Sequence, residues 1–145
     1  MKKIAISACL LGEKCRYDAS DNRNDTLLAK LKYSELIPFC PEDHAFGSPR
    51  PTMDLIQTVQ GIKAISNKSG VDLSFAVEEY AKHFFDKHSD IDLFIGKDRS
   101  PSCGVCSAKL YNEDKELISS EETGLMAKEA KERGIECFDA EIYNA

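Results

Sequence analysis

The sequence predicts an α/β fold with a mostly parallel sheet and helices on both faces of that sheet. Three observations lead to this class. Short apolar runs, typical of buried strands, alternate along the chain with amphipathic helical patterns. Glycine, proline and polar residues separate the two kinds of segment. Strands that alternate with helices join most simply as parallel neighbours, because each helix carries the chain back across the sheet.

The first part of the chain holds two predicted strands and a short helix. Residues 2–10 form an apolar run that ends in a glycine turn, as a buried strand does. Residues 25–31 predict the start of a helix, capped by Asp25 or Thr26. Residues 36–40 predict a second strand that stops at the following proline.

The middle of the chain is less regular. Residues 43–53 are dominated by a segment rich in glycine and proline, and this composition predicts a loop. Residues 53–65 mix β-branched and polar residues, which favours a strand or a hairpin.

The last part of the chain returns to the alternating pattern. Residues 72–88 carry apolar side chains at helical spacing, and residues 91–95 predict the next strand. A second helix is predicted over residues 123–133, with two glutamates favouring its start and Gly134 at its C-terminal cap. Residues 135–138 predict a final strand. Together the elements predict a Rossmann-like single domain over residues 1–145, in which ligands bind at the carboxyl ends of the strands.

Composition narrows the class of function. The 145 residues carry a formal charge of −6, which argues against a nucleic-acid partner because phosphate binding needs clustered lysine and arginine. No apolar run approaches the length of a membrane span, and no export signal is visible. We therefore expect a cytoplasmic protein with reduced thiols that binds neither nucleic acid nor membrane. The sequence is also compatible with a homo-oligomer.

Six cysteines are the most informative residues of the chain. Cys9, Cys40 and Cys103 each follow a predicted strand at the same end of the sheet, and Cys15 and Cys106 lie in turns close by. Thiols at strand ends and in turns can converge on one point in space. This arrangement predicts a soft-metal or iron–sulfur site, or a nucleophilic thiol.

Spacing alone leaves several chemistries open. Three thiols could bind three irons of a cubane cluster and leave the fourth iron open to substrate. A tetrahedral zinc site could use Cys103 and Cys106 with two further thiols, and the same two residues could form a redox pair. A non-catalytic sulfur or metal carrier would use the same thiols. Cys15 and Cys106 are otherwise expected to be small half-buried residues, and Cys137 to lie in the core.

Several motifs carry a resemblance to a known family that runs nearly the whole length of the chain. They resemble the family catalogued as domain of unknown function 523, whose characterised members are thiouracil desulfidases. The resemblance implies an enzyme that removes sulfur from thiolated uracil without net redox change, using a [4Fe-4S] cluster held by three cysteines. The motifs are SACLLG at residues 7–12, CRYD at 15–18, CPE at 40–42, Pro49-Arg50, SPSCG at 100–104, and TGLMA at 123–127 with Gly134-Ile135.

The resemblance also implies roles for individual residues. Cys9, Cys40 and Cys103 would hold the cluster, and its open iron would capture sulfide. Glu42 and Ser102 would lie beside the cluster and serve proton handling and substrate orientation, since an incoming water needs a base. The residues expected to contact a small thiolated substrate or to shape its loop are Ser7, Arg16, Asp18, Arg50 and Ser100.

The chain departs from the family pattern in three places. Residues 43–48 read DHAFGS where many members carry a Gly-Gly-Leu-Pro-Thr run. Ala19 stands where a glycine commonly follows the CRYD motif, and residues 112–115 lack the usual Asp-Gly pair. The first departure lies near the expected pocket, so it bears on which substrate the protein accepts.

Overall fold

The computed structural model describes residues 1–143 and forms eight strands and four α-helices within them. No helix among these residues is long and apolar enough to cross a membrane. The helices are α1 (Asp25–Lys30), α2 (Pro41–Phe46), α3 (Ser74–Lys87) and α4 (Leu125–Glu132). The strands are β1 (Lys3–Ser7), β2 (Glu35–Phe39), β3 (Met53–Thr58), β4 (Gly61–Ser66), β5 (Leu93–Gly96), β6 (Ala108–Tyr111), β7 (Leu117–Glu122) and β8 (Glu136–Asp139).

The first sheet has the order β2-β1-β5-β8 and is parallel throughout. Alternate residues of its central strands belong to two separate hydrophobic cores, one on each face of the sheet, because successive side chains of a strand point to opposite faces. Ala5 and Phe94 pack with α3 and α4, whereas Ile4, Ile6 and Ile95 pack with α1 on the other face. The predicted α/β class, with helices on both faces of a parallel sheet, is confirmed.

A second sheet has the order β4-β3-β6-β7 and is mixed. Its β3–β4 hairpin confirms the prediction for residues 53–65, while β6 and β7 were not predicted. The glutamates at 121 and 122 were expected to favour a helix start, but they lie in β7, and α4 begins at Leu125. The expectation failed because β7 is an edge strand with mostly exposed residues, so it has no buried apolar alternation to mark it.

Two further local predictions need correction. Residues 43–53 were predicted as loop, which holds for residues 47–52, but α2 occupies residues 43–46. This helix begins at Pro41, where the missing N–H of proline costs nothing. Helix α1 is capped by Asn24 rather than Asp25 or Thr26, because the Asn24 side chain accepts a backbone hydrogen bond of 3.0 Å in the first turn.

The loop after β5 lies between two glycines. A Cβ atom on Gly96 would stand 1.8 Å from the carbonyl oxygen of Cys103, and one on Gly124 would stand 2.6 Å from the carbonyl carbon of Ser102. Only glycine therefore lets the backbone of Ser102 and Cys103 lie against the end of β5 and the start of α4. The Ser102 carbonyl also accepts the N–H of Met126 at 2.8 Å, which joins the loop to α4.

We expect Gly96→Ala to lower the free energy of unfolding by about 3 kcal/mol or more, because the added methyl would meet backbone that cannot move aside. Gly70→Ala is the matched control. Its added Cβ meets no atom within 4 Å, so its φ of 72° leaves only a backbone strain of about 1 to 2 kcal/mol. Urea denaturation of both variants measures the difference, and equal losses would contradict the close packing at Gly96.

Candidate functional site

A pocket of about 550 Å³ opens at the carboxyl ends of β1, β2 and β5. Cys9, Cys40 and Cys103 follow these three strands, and all of them line the pocket together with Cys15. The three strands are neighbours in the first sheet, and the ends of neighbouring parallel strands meet at one edge. The strand order thus brings together thiols that are far apart in the sequence.

The Cys15 thiol lies beside those of Cys9 and Cys40, and Cys40 Sγ donates to the Cys15 carbonyl oxygen at 3.7 Å. Its contact with Cys9 lowers the pKa of Cys9 to about 7, and its contact with Cys40 lowers the pKa of Cys40 as well. The same two contacts raise the pKa of Cys15. Burial raises the pKa of Cys103. All six cysteines of the chain are free thiols.

Two polar side chains hold the thiol-bearing backbone in place. The Tyr80 hydroxyl on α3 accepts the backbone N–H of Cys40 at 3.2 Å, at the point where β2 passes into α2. The Ser100 hydroxyl accepts the N–H groups of Ser102 and Cys103 at 3.2 and 3.0 Å. Ser100 therefore caps the turn that presents Cys103, and it also lines the pocket.

Glu42 lies in the first turn of α2 and places a carboxylate beside the thiols. Its side chain is 15% exposed, its Oε2 accepts the Ser102 hydroxyl at 2.9 Å, and its Oε1 lies 3.7 Å from Nε of Arg50. Burial raises the pKa of Glu42, while Arg50 and the Ser102 hydrogen bond act in the opposite direction. A buried carboxyl group with a raised pKa holds a proton more readily than an exposed one, and it can exchange that proton with a neighbouring group.

Ser102 is fully buried and does not line the pocket. Its hydroxyl does not face the pocket but donates a hydrogen bond to the Glu42 carboxylate, which does. The two residues expected to act together therefore take different positions, with the carboxylate at the pocket and the hydroxyl behind it.

Cys106 does not share the pocket with Cys103. It is exposed, and its Sγ lies 3.7 Å from Nζ of Lys131. The loop turns away because the buried Asp139 carboxylate accepts the N–H groups of Val105 and Cys106 at 2.7 and 2.8 Å. Among residues 1–143, no group of three His, Cys, Asp or Glu side chains is arranged to hold a single metal ion.

The residues expected to contact substrate do not all reach the pocket. Asp18 does not line it, and it accepts hydrogen bonds from the N–H and the hydroxyl of Ser20 instead. Within the part of the chain that the structure describes, Asp18 forms no ion pair with Arg16. The four that do line the pocket are Ser7, Arg16, Arg50 and Ser100.

The opposite wall of the pocket comes from the second sheet and was missed by sequence reasoning. Asp54 on β3 and the pair Lys109 and Tyr111 on β6 contribute to it. Nothing in the sequence around β6 indicated a strand, so Lys109 and Tyr111 gave no signal. Lys97 also lines the pocket and directly follows β5, so the rule that located the cysteines could have found it.

The pocket is more basic than the chain as a whole, which carries a charge of −6. Burial and the nearby Arg99 lower the pKa of Lys97. The basic residues of the lining are Arg16, Arg50, Lys97, Arg99 and Lys109, and the acidic ones are Glu42, Asp54 and Asp98.

The turn beside the pocket contains a strained alanine. Ala19 has a φ of 61°, a left-handed conformation that glycine adopts without cost. Backbone hydrogen bonds close the turn, from Ala19 N–H to Arg16 O at 2.9 Å and from Arg16 N–H to Ser20 O at 3.1 Å. This conformation explains why a glycine suits this position in the family that the chain resembles.

Comparisons with known proteins agree with one another. The family model for 2-thiouracil desulfurase matches residues 4–141. The protein YbbK of Bacillus subtilis strain 168 is 29% identical over 143 residues, which span 91% of this chain and 93% of YbbK. The solved structure of the [4Fe-4S]-dependent thiouracil desulfidase TudS superposes with a TM-score of 0.73 at 29% identity. That match covers 96% of this chain and 91% of TudS.

We expect Ala19→Gly to raise the free energy of unfolding by about 1 kcal/mol, because glycine removes the strain of the left-handed turn. Ala29→Gly, at an exposed position of α1, is the control with the opposite sign, since glycine in a helix costs about 1 kcal/mol. Urea denaturation compares the two. A loss of stability in both variants would contradict the strained conformation at Ala19.

Proposed function

The chain belongs to the 2-thiouracil desulfurase family, and from that premise we propose that it is a [4Fe-4S]-dependent desulfidase acting on a thiolated pyrimidine such as thiouracil. The resemblance to TudS over nearly the whole of both chains supports the proposal. The substrate would enter the pocket at the edge of the first sheet, where the thiols and Glu42 lie together.

The observation that carries the proposal is the presence of Cys9, Cys40 and Cys103 in one pocket beside a carboxylate. Thiolate sulfur is the ligand that iron–sulfur clusters use in proteins. A cubane cluster binds each cysteine through a different iron, so it needs three sulfurs that face one cavity from different sides. The donor set and its arrangement on three strand ends fit such a group.

The reaction exchanges sulfur for oxygen. Thiouracil and water give uracil and hydrogen sulfide, so one C=S bond becomes C=O and no electrons are gained or lost. When bound, the cluster would supply a Lewis-acidic iron that accepts the departing sulfur. The protein then has to hold the ring, move the protons of the water and keep the carboxylate in place.

Glu42 is the residue that we assign to proton transfer. It lines the pocket, and its buried carboxyl group can take a proton from the attacking water and return it to the leaving sulfur. The Ser102 hydroxyl donates to Oε2 of Glu42, so Ser102 orients the carboxylate rather than contacting the substrate. Ser7, Arg16 and Ser100 remain available along the pocket wall to position the ring.

The test is the conversion of substrate by protein reconstituted with iron and sulfide under anaerobic conditions. We expect the thione absorbance of 2-thiouracil or 4-thiouracil to disappear while uracil is released. Glu42→Gln should lower kcat about 100-fold or more and leave the iron content unchanged, because it removes the base but none of the thiols. If wild-type protein with its full iron content leaves the thione band unchanged, the desulfidase proposal is contradicted. A non-catalytic carrier of sulfur or metal would then be favoured.

The identity of the ligands gives a second prediction. Serine at Cys9, Cys40 or Cys103 should reduce the iron content well below the expected value of about four per chain, because each variant removes one of the three proposed ligands. Serine at Cys15, Cys106 or Cys137 should leave iron content and visible absorbance close to wild type. Iron analysis after anaerobic reconstitution measures both sets. Loss of iron in the Cys15 variant, with retention in one of the first three, would contradict the assignment.

A further inference from the structure

Arg50 joins two segments at the edge of the pocket. Its side chain is 7% exposed, and its Nη1 donates to Cys15 O at 2.9 Å, to Gly47 O at 3.0 Å and to Ser48 Oγ at 2.7 Å. Its backbone N–H donates to Tyr17 O at 2.7 Å. One residue therefore fastens the loop that carries Cys15 to the turn that follows α2.

The same side chain also faces Glu42. Arg50 Nε is buried without a hydrogen-bond partner. Every other buried side-chain nitrogen or oxygen in residues 1–143 has one. The nearby acceptor is Oε1 of Glu42, at 3.7 Å. Because an unpaired buried donor is unfavourable, a small approach of the carboxylate would be favoured. The other carboxylate oxygen is already held by Ser102, so Glu42 lies between a hydroxyl and a guanidinium.

The chemistry of the guanidinium suits this double contact. Its planar fork offers five N–H donors, so it can serve the carbonyl groups through Nη1 while Nε remains directed at a carboxylate. A lysine ammonium at the same place would keep the positive charge, but it could not reach both sets of acceptors at once. The geometry of the donors therefore matters here as well as the charge.

We infer that Arg50 is a positioning residue, which fixes the Glu42 carboxylate against Ser102 and fastens the Cys15–Tyr17 loop beside it. The inference rests on the proposed function and gives Arg50 a role other than the substrate contact expected from sequence. Its effect on the reaction passes through Glu42, since misplacing a catalytic group by a fraction of an ångström slows a reaction without weakening substrate binding.

A double-mutant cycle tests this role. Arg50→Lys should lower kcat for thiouracil about tenfold or more and leave KM within about twofold. In a Glu42→Gln background, the same substitution should change kcat by less than about twofold, because the group that Arg50 positions is already lost. Arg133→Lys is the matched control, since Arg133 is ion-paired with Glu129 and Asp86 away from the pocket, and we expect its kcat to be unchanged.

Two results would overturn the inference. A rise in KM at constant kcat would show that Arg50 binds substrate, and a full tenfold loss in the Glu42→Gln background would show that Arg50 acts independently of Glu42. Urea denaturation provides a readout independent of activity. It is applied to the metal-free wild type, Arg50→Lys, Glu42→Gln and the double variant. We expect the shifts in the urea midpoint to be non-additive, and additive shifts would count against the contact.

The unfolding cycle also separates this inference from the proposed function. Loaded wild-type protein that leaves thiouracil intact would contradict the desulfidase proposal. The urea midpoints of the metal-free proteins would still test the contact between Arg50 and Glu42. Non-additive shifts would support it, and additive shifts would contradict it.

Discussion

The close contacts of two glycines with the backbone of Ser102 and Cys103 position the rest of the site. Gly96 ends β5 and Gly124 precedes α4, so these contacts join the parallel sheet to a helix that packs on it. They also determine where the side chains of Ser102 and Cys103 go. Cys103 faces the pocket, and the Ser102 hydroxyl turns inward to Glu42. These two backbone contacts thus place both a thiol and the hydroxyl that binds the Glu42 carboxylate.

The other thiols depend on how the first sheet meets its neighbours. The passage from β2 into α2 puts Cys40 and Glu42 on either side of a proline that suits a helix start, which explains why they occur together in the CPE motif. The second sheet then closes the pocket from the opposite side through β3 and β6. The cysteines follow the strands of one sheet, and the other sheet supplies much of the facing wall of the pocket.

Sequence reasoning succeeded where a local pattern has a direct structural cause. Apolar runs and helical spacing located every strand of the first sheet and both long helices, and the positions of Cys9, Cys40 and Cys103 after strands indicated a common edge. It failed where the cause is non-local. The clash that excludes a side chain at Gly96 involves a residue beyond the next turn, and the burial of Ser102 depends on α2 and α4. The polar edge strand β7 has no periodic signal at all.

The placement of the three cysteines on distant segments has a consequence for the folding of the chain. A group bound to all three sulfurs would close two long loops and act as a three-way cross-link between the N-terminal strand, the start of α2 and the turn after β5. Such a link restricts the unfolded chain more than the folded one, as a disulfide that spans a long loop does. The cofactor of a protein built in this way would also be part of its scaffold.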